Sequence, residues 1–209
     1  VLAIAPRGEA TLELGSLAAS AIVPATLTAI DAAGRSRVLE LALSTTEPLP
    51  LVAITEVRAD PYGAEPRQEY VELENRGLDA VDLLGFSLAD SPTAAGDVIA
   101  SSHRLAPGAR ALLVAEAFDP DDRGDGDRDA PVPPGVALIR VDRSLASGGL
   151  SNAGEPLFLR DPGGRRISAA PAEPPPRPGV CTVRTSDDAR TGARGSFDYD
   201  AASGCTPGR

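Results

Sequence analysis

Short apolar runs set off by Gly, Pro, Asp and Asn recur along the whole chain, and few of them keep a helical period for long. In Ala25-Thr26-Leu27-Thr28-Ala29-Ile30-Asp31 the apolar positions Ala25, Leu27 and Ala29 alternate with Thr, as in a strand with one wet face. Ala32-Ala33-Gly34 supplies a turn. Arg37-Val38-Leu39-Glu40-Leu41-Ala42-Leu43 then returns with Leu39, Leu41 and Leu43 on one face, which predicts a hairpin from Ala25 to Ser44. Val1 to Ala5 and Ala10 to Leu17 are further β-like runs, although Leu12 to Ala21 also suits a helix because Leu and Ala tolerate both states. About four strands fall short of the seven or so in a complete immunoglobulin-like unit, so residues 1–49 are expected to form a partial one. Glu47-Pro48-Leu49-Pro50 follows as a short linker stiffened by its prolines.

The pattern becomes denser from Leu51. Leu51-Val52-Ala53-Ile54-Thr55-Glu56-Val57 is an apolar strand closed by the turn signal Asp60-Pro61-Tyr62-Gly63. In Glu69-Tyr70-Val71-Glu72-Leu73-Glu74-Asn75 the residues Tyr70, Glu72 and Glu74 face one way and Val71 and Leu73 the other, which places the carboxylates on a solvent face. Asn75-Arg76-Gly77 turns the chain toward a strand at Val81 to Asp90. Leu105 to Val114 carries a Pro-Gly turn into an apolar strand, and Leu150 to Gly164 reads as a closing hairpin. Pro171 and Pro174 to Pro178 then form a polyproline-like spacer.

Taken in order, the Glu69–Asn75 run, the Val81–Asp90 run with its Gly85-Phe86, the Pro107-Gly108 strand and the Leu150–Gly164 hairpin resemble the lamin tail domain. That family is an immunoglobulin-like β-sandwich found in nuclear lamins and in many secreted bacterial proteins, and the resemblance covers about 120 residues. Phe86 stands where such sequences usually carry Trp, which keeps the apolar role without an indole N–H. Leu43 to Thr46 resembles the end of a bacterial immunoglobulin-like domain, and the Arg184, Phe197 and Thr206-Pro207-Gly208 positions resemble a bacterial lamin-tail ending. The expected fold is therefore all-β: a partial immunoglobulin-like unit at 1–49, a lamin-tail sandwich at 50–170, and a Pro-rich spacer with a disulfide-stapled tail at 171–209. The tail is expected to fold back on the sandwich.

Composition narrows the function classes. The net charge is −10 with a pI near 4.6, and no basic stripe offsets it, which argues against nucleic acid as a partner. All 20 basic residues are Arg, a bias that a high-GC genome explains. No apolar run of about 18 residues is present to span a membrane. The opening Val1-Leu2-Ala3-Ile4 lacks the basic region of a signal peptide, so the chain is expected to be part of a longer precursor whose export signal lies upstream. Cys181 and Cys205 sit in a polar C-terminal segment, where a disulfide is the preferred reading, with free thiols in a reduced cytosol or a two-Cys zinc site as alternatives.

Asp119-Pro120-Asp121-Asp122-Arg123-Gly124-Asp125-Gly126-Asp127-Arg128-Asp129 is the most site-like stretch. Its aspartates Asp119, Asp121, Asp125, Asp127 and Asp129 could wrap a calcium ion, which takes six to eight oxygens. The spacing imitates the start of an EF-hand loop but lacks its sixth-position Gly and its closing Glu, where Val136 stands. The plainer reading is a solvated acidic insertion. Glu69, Glu72 and Glu74 as a glycosidase carboxylate pair conflict with their placement on a scaffold strand. His103 is the sole histidine and must carry any general-base scheme alone. Gly85-Phe86-Ser87-Leu88-Ala89 misses the nucleophile elbow at its last position, and Gly124-x-Gly126 follows no β-α pattern.

No catalytic residue is assigned. The resemblance implies a non-catalytic extracellular or cell-surface module of a larger bacterial protein, including an outer-membrane-associated one, with a protein or cell-surface polysaccharide as partner. Two alternatives remain open: a calcium-dependent carbohydrate- or protein-binding module, and an accessory domain of a secreted nuclease or hydrolase.

Overall fold

The computed structural model describes residues 17–146, 148–199 and 204–209. Its described residues form strands, turns and irregular segments with no helix, an all-β chain divided into two compact units, Val1–Pro48 and Leu49–Arg209.

In the first unit β1 (Ile22–Ile30) pairs antiparallel with β2 (Ser36–Ser44) from Ile22↔Ser44 to Ile30↔Ser36. The turn closes because Asp31 Oδ1 accepts the Ala33 and Arg35 N–H groups, while Gly34 takes a φ of 79°. Its apolar alternation is that of a half-buried strand, yet Ile22, Leu27, Ile30, Val38, Leu39 and Leu41 are all exposed. A two-stranded ribbon offers no second layer to cover them. The runs expected at Val1 to Ala5 and Ala10 to Leu17, and most of the helical alternative at Leu12 to Ala21, lie outside the described residues.

The second unit is built around a six-stranded sheet. Its strands are β3 (Val52–Arg58), β4 (Tyr70–Asn75), β9 (Arg110–Val114), β10 (Ala137–Arg140), β13 (Thr182–Arg184) and β14 (Phe197–Tyr199), in the order β10-β9-β4-β3-β13-β14. Only the β10–β9 pair is parallel. A four-stranded sheet, β12-β11-β6-β7, is made of β6 (Ser87–Ala89), β7 (Asp97–Val98), β11 (Leu157–Arg160) and β12 (Arg166–Ala170). The short strands β5 (Val81–Asp82) and β8 (Arg104–Leu105) pair separately. Val52, Ile54, Val71, Leu73 and Leu113 from the larger sheet pack with Leu88, Leu157, Leu159 and Ile167 from the smaller one in a single apolar cluster. This is a sandwich-like arrangement, and its core is aliphatic apart from Phe86 and Phe197.

One local feature differs from the expected pattern. The strand expected over Val81 to Asp90 is broken by a turn at Leu84-Gly85, where Gly85 takes a φ of 79° and Phe86 enters the core before β6 begins. The tail folds back on the sandwich, where β13 lies between β3 and β14 in the larger sheet. Arg184 on β13 ties that tail down. Its guanidinium donates to the carbonyls of Ile54 on β3 and Ala169 on β12, so it bridges the two sheets, and it also lies over the Phe197 ring at 4.6 Å. Burial lowers its pKa to about 10, with the nearby Arg76 adding to the effect.

Candidate functional site

The face of the larger sheet opposite the core carries most of the buried chemistry. Tyr70 and Glu72 share it through strand alternation, whereas Thr55 and Glu56 reach it together because a bulge shifts the β3–β4 register between Ile54 and Glu56. Ile54 and Val57 can then both stay in the apolar cluster. Of the carboxylates expected on a solvent face, Glu72 is fully buried and Glu74 half-buried, and Glu56 on β3 is buried beside Glu72.

What covers them is the C-terminal segment. Glu56 Oε2 accepts the Thr206 N–H at 2.8 Å and its hydroxyl at 2.7 Å, and Tyr70 donates its phenolic hydrogen to Glu56 Oε1. Glu72 accepts the Gly208 N–H on Oε2 at 2.6 Å, and on Oε1 the Thr55 hydroxyl and Arg110 Nη1, both at 2.6 Å. Burial pushes the Glu56 carboxyl above its ordinary pKa, against the hydrogen bonds from Tyr70 and Thr206, and pushes the Tyr70 hydroxyl well up. Cys181 and Cys205 are joined in a disulfide that packs on Tyr70, Leu112 and Val114. Among the described residues Glu56, Cys181 and Cys205 are the one trio of potential ligand groups that comes within 4.8 Å, and disulfide formation leaves that trio no thiolate for a metal.

The acidic loop is organised by guanidinium groups. Arg123 donates to the carbonyls of Asp129 and Asp127, Arg128 to that of Asp125, and Arg140 to those of Glu116 and Phe118. Asp129 is buried, and its two oxygens accept the Tyr62 and Gly63 N–H groups at 3.0 and 2.9 Å. Asp119 Oδ1 caps the Asp121 N–H, and Asp121, Asp125 and Asp127 are exposed. The structure thus gathers no three of Asp119, Asp121, Asp125, Asp127 and Asp129 into one close set. Gln68 Oε1, whose amide nitrogen faces Asp122 Oδ2 at 3.3 Å, is the single buried side-chain oxygen without a partner among the described residues.

Beside this loop opens a cleft of ≈ 320 Å³ whose wall includes Tyr62, Arg123, Arg128, Asp129, Arg177 and Arg209. Arg128 lies over the Tyr62 ring at 3.9 Å. Gly179 packs against the same ring, where a Cβ would meet Tyr62 at 2.4 Å. Tyr62 therefore serves as a fixed post.

His103 lies on the small β5–β8 ribbon. Its Nε2 is 3.0 Å from Ser101 Oγ, so a hydroxyl is within reach, but Asp82 accepts the backbone N–H of His103 and the Ser102 hydroxyl. Those bonds lower the Asp82 pKa, the Ser102 hydroxyl most. The carboxylate orders a turn instead of orienting an imidazole. Glu69 is a different case. It is buried before β4, accepts the Leu150 N–H at 2.6 Å, and is pushed up to about 8 by burial, with Glu65 and Glu155 adding to the effect.

Comparison with protein-family models, curated proteins and solved structures returns no match. Sequence reasoning missed Glu56, Arg58, Tyr62 and Arg177. A carboxylate two residues from an arginine at the end of an apolar strand was the available signal for the first pair. Arg58 is buried, donates twice to the Gln68 carbonyl and lies over the Tyr70 ring at 4.6 Å.

Proposed function

We propose that this chain is a non-catalytic extracellular or cell-surface module, an immunoglobulin-like sandwich of the lamin-tail type, which positions a larger bacterial protein by binding a protein or a cell-surface polysaccharide. The observation that carries this reading is how the buried polar groups are used. Glu56, Glu72, Tyr70, Arg58 and Arg184 all bond to the chain's own backbone or side chains, so their chemistry is spent on holding the sandwich and its tail together. The Cys181–Cys205 disulfide fits an oxidising location. No helix of the described residues is long and apolar enough to cross a membrane.

The test combines binding and turnover. Labelled protein added to isolated bacterial envelopes is expected to bind saturably after nuclease treatment, and to leave ester, glycoside and phosphodiester substrates unchanged. Turnover that disappears in Ser101→Ala or His103→Ala, or the absence of saturable envelope binding, would overturn the proposal.

A further inference from the structure

The cleft beside Tyr62 concentrates positive charge in a chain of net charge −10. Four arginines, Arg123, Arg128, Arg177 and Arg209, line it against a single acidic side chain among the described residues. That carboxylate, Asp129, is turned inward onto two backbone N–H groups. The exposed Asp125 and Asp127 do not line the cleft.

Arg123 is spent on the loop carbonyls, but Arg177 and Arg128 keep donors for a ligand. Arg177 has no hydrogen bond or ion pair among the described residues, and it stands between Pro176 and Pro178, whose rings fix the local backbone. Arg128 spends only Nε, on the Asp125 carbonyl, while its planar group is pinned flat on Tyr62, leaving both terminal nitrogens for a ligand. The far wall, at Thr206 and Pro207, is fixed by the Glu56 bonds and by the disulfide at Cys205. Arg128 and this wall need little ordering on binding, which favours affinity, while the exposed Arg177 side chain is ordered by the ligand itself.

The shape selects among anions. A volume of ≈ 320 Å³ holds one or two sugar-sized groups, and Pro131 and Pro207 give an apolar wall for ring C–H groups. Arginine forks match carboxylates and phosphates bidentately, so the forks fix the sign and geometry of the ligand group and the walls choose its carrier. The acidic remainder of the surface repels any long polyanion, so the cleft suits a single charged unit at a time, and the proline wall favours a charged sugar over a bare phosphate. We propose that the cleft binds a uronic-acid residue of an acidic polysaccharide, with Arg128 and Arg177 gripping its carboxylate. This rests on the surface-module reading and gives its partner a chemical class.

Isothermal titration calorimetry on the full chain tests it with trigalacturonate, a neutral galactose trimer, inorganic phosphate and a short single-stranded oligonucleotide. Trigalacturonate is expected to bind and the neutral trimer to give no heat. Arg177→Ala, at an exposed position with no partner among the described residues, should weaken binding about tenfold, with only part recovered by Arg177→Lys, because an ammonium has no fork. The proposal falls if the neutral trimer binds equally well, if phosphate or the oligonucleotide binds more tightly, or if Arg177→Ala and Arg128→Ala both bind like the wild type. Saturable envelope binding that survives Arg177→Ala would sink the uronate site alone. Uronate binding without any envelope binding would sink the surface-module reading alone.

Discussion

Replacing Glu69 by Gln should make the protein more stable at pH 8 and leave it unchanged near pH 4.5. The carboxyl's pKa is about 8 in the fold against 4.5 ordinarily. Between those limits the folded chain keeps a proton that the unfolded chain has released. The stability this provides is complete below pH 4.5 and is lost as pH rises through 8, at up to about 1.4 kcal/mol per pH unit. Taken at face value the whole window amounts to about 5 kcal/mol. The neighbours Glu65 and Glu155 are themselves wetted, however, and solvent screening reduces the figure to roughly 2–3 kcal/mol. Gln keeps the acceptor for the Leu150 N–H and has no proton to lose. Urea unfolding at pH 5, 6.5 and 8, followed by tyrosine fluorescence, suits the question because Tyr62, Tyr70 and Tyr199 all lie in the Leu49–Arg209 unit. Glu56, Asp60 and Asp97, also raised by burial, affect both proteins alike. Two curves that stay parallel across the pH range would refute the reasoning.

Other outcomes follow from the covered face and the loop. Cys181→Ala/Cys205→Ala should cost about 3.5 kcal/mol by the loop-entropy argument, and dithiothreitol should lower the urea midpoint of the wild type similarly; an unchanged midpoint would contradict this. Arg184→Met strips donors from the Ile54, Ala169 and Asp188 carbonyls, so a loss of about 3–4 kcal/mol is expected, with Arg184→Lys recovering less than half. Calcium should leave Tm within about 1 °C, because guanidinium groups already occupy the loop carbonyls and one orphan amide oxygen falls short of six ligands. Occupancy at a hundredfold Kd would add about 2.7 kcal/mol, so a rise of several degrees, or saturable heat, would restore calcium.

Much of the fold was readable because local chemistry decided it. The Pro107-Gly108 turn, with Gly108 at a φ of 71°, and the Asp161-to-Gly164 turn between β11 and β12 rest on neighbours in sequence. The cysteine pairing was readable for a similar reason, since two thiols in one polar segment had few alternatives. The parallel strand β10 was not anticipated. Its partner β9 is separated from it by the acidic loop, and the four residues Ala137–Arg140 show no distinctive alternation.

The error over the Glu69-to-Asn75 run has a more general cause. Alternation states that two faces differ; it does not state what lies on the polar one. Here that face meets a second polypeptide layer, delivered 136 residues downstream at Gly208, and backbone N–H groups replace the water that the carboxylates would otherwise bind. Burying two carboxylates costs several kcal/mol each in an apolar setting, and their many charge-assisted bonds offset that cost only when the tail sits in one register. The bulge at Thr55 serves the same end, since it brings a hydroxyl beside Glu72 without taking Ile54 or Val57 from the core. Glu72 of this run and Glu56 of β3 therefore specify together the path of residues 204–209, and residues 204–207 and 209 line the arginine-bearing cleft. Glu72, a carboxylate that reads as surface decoration, thus helps in the folded chain to build a wall of the candidate binding site.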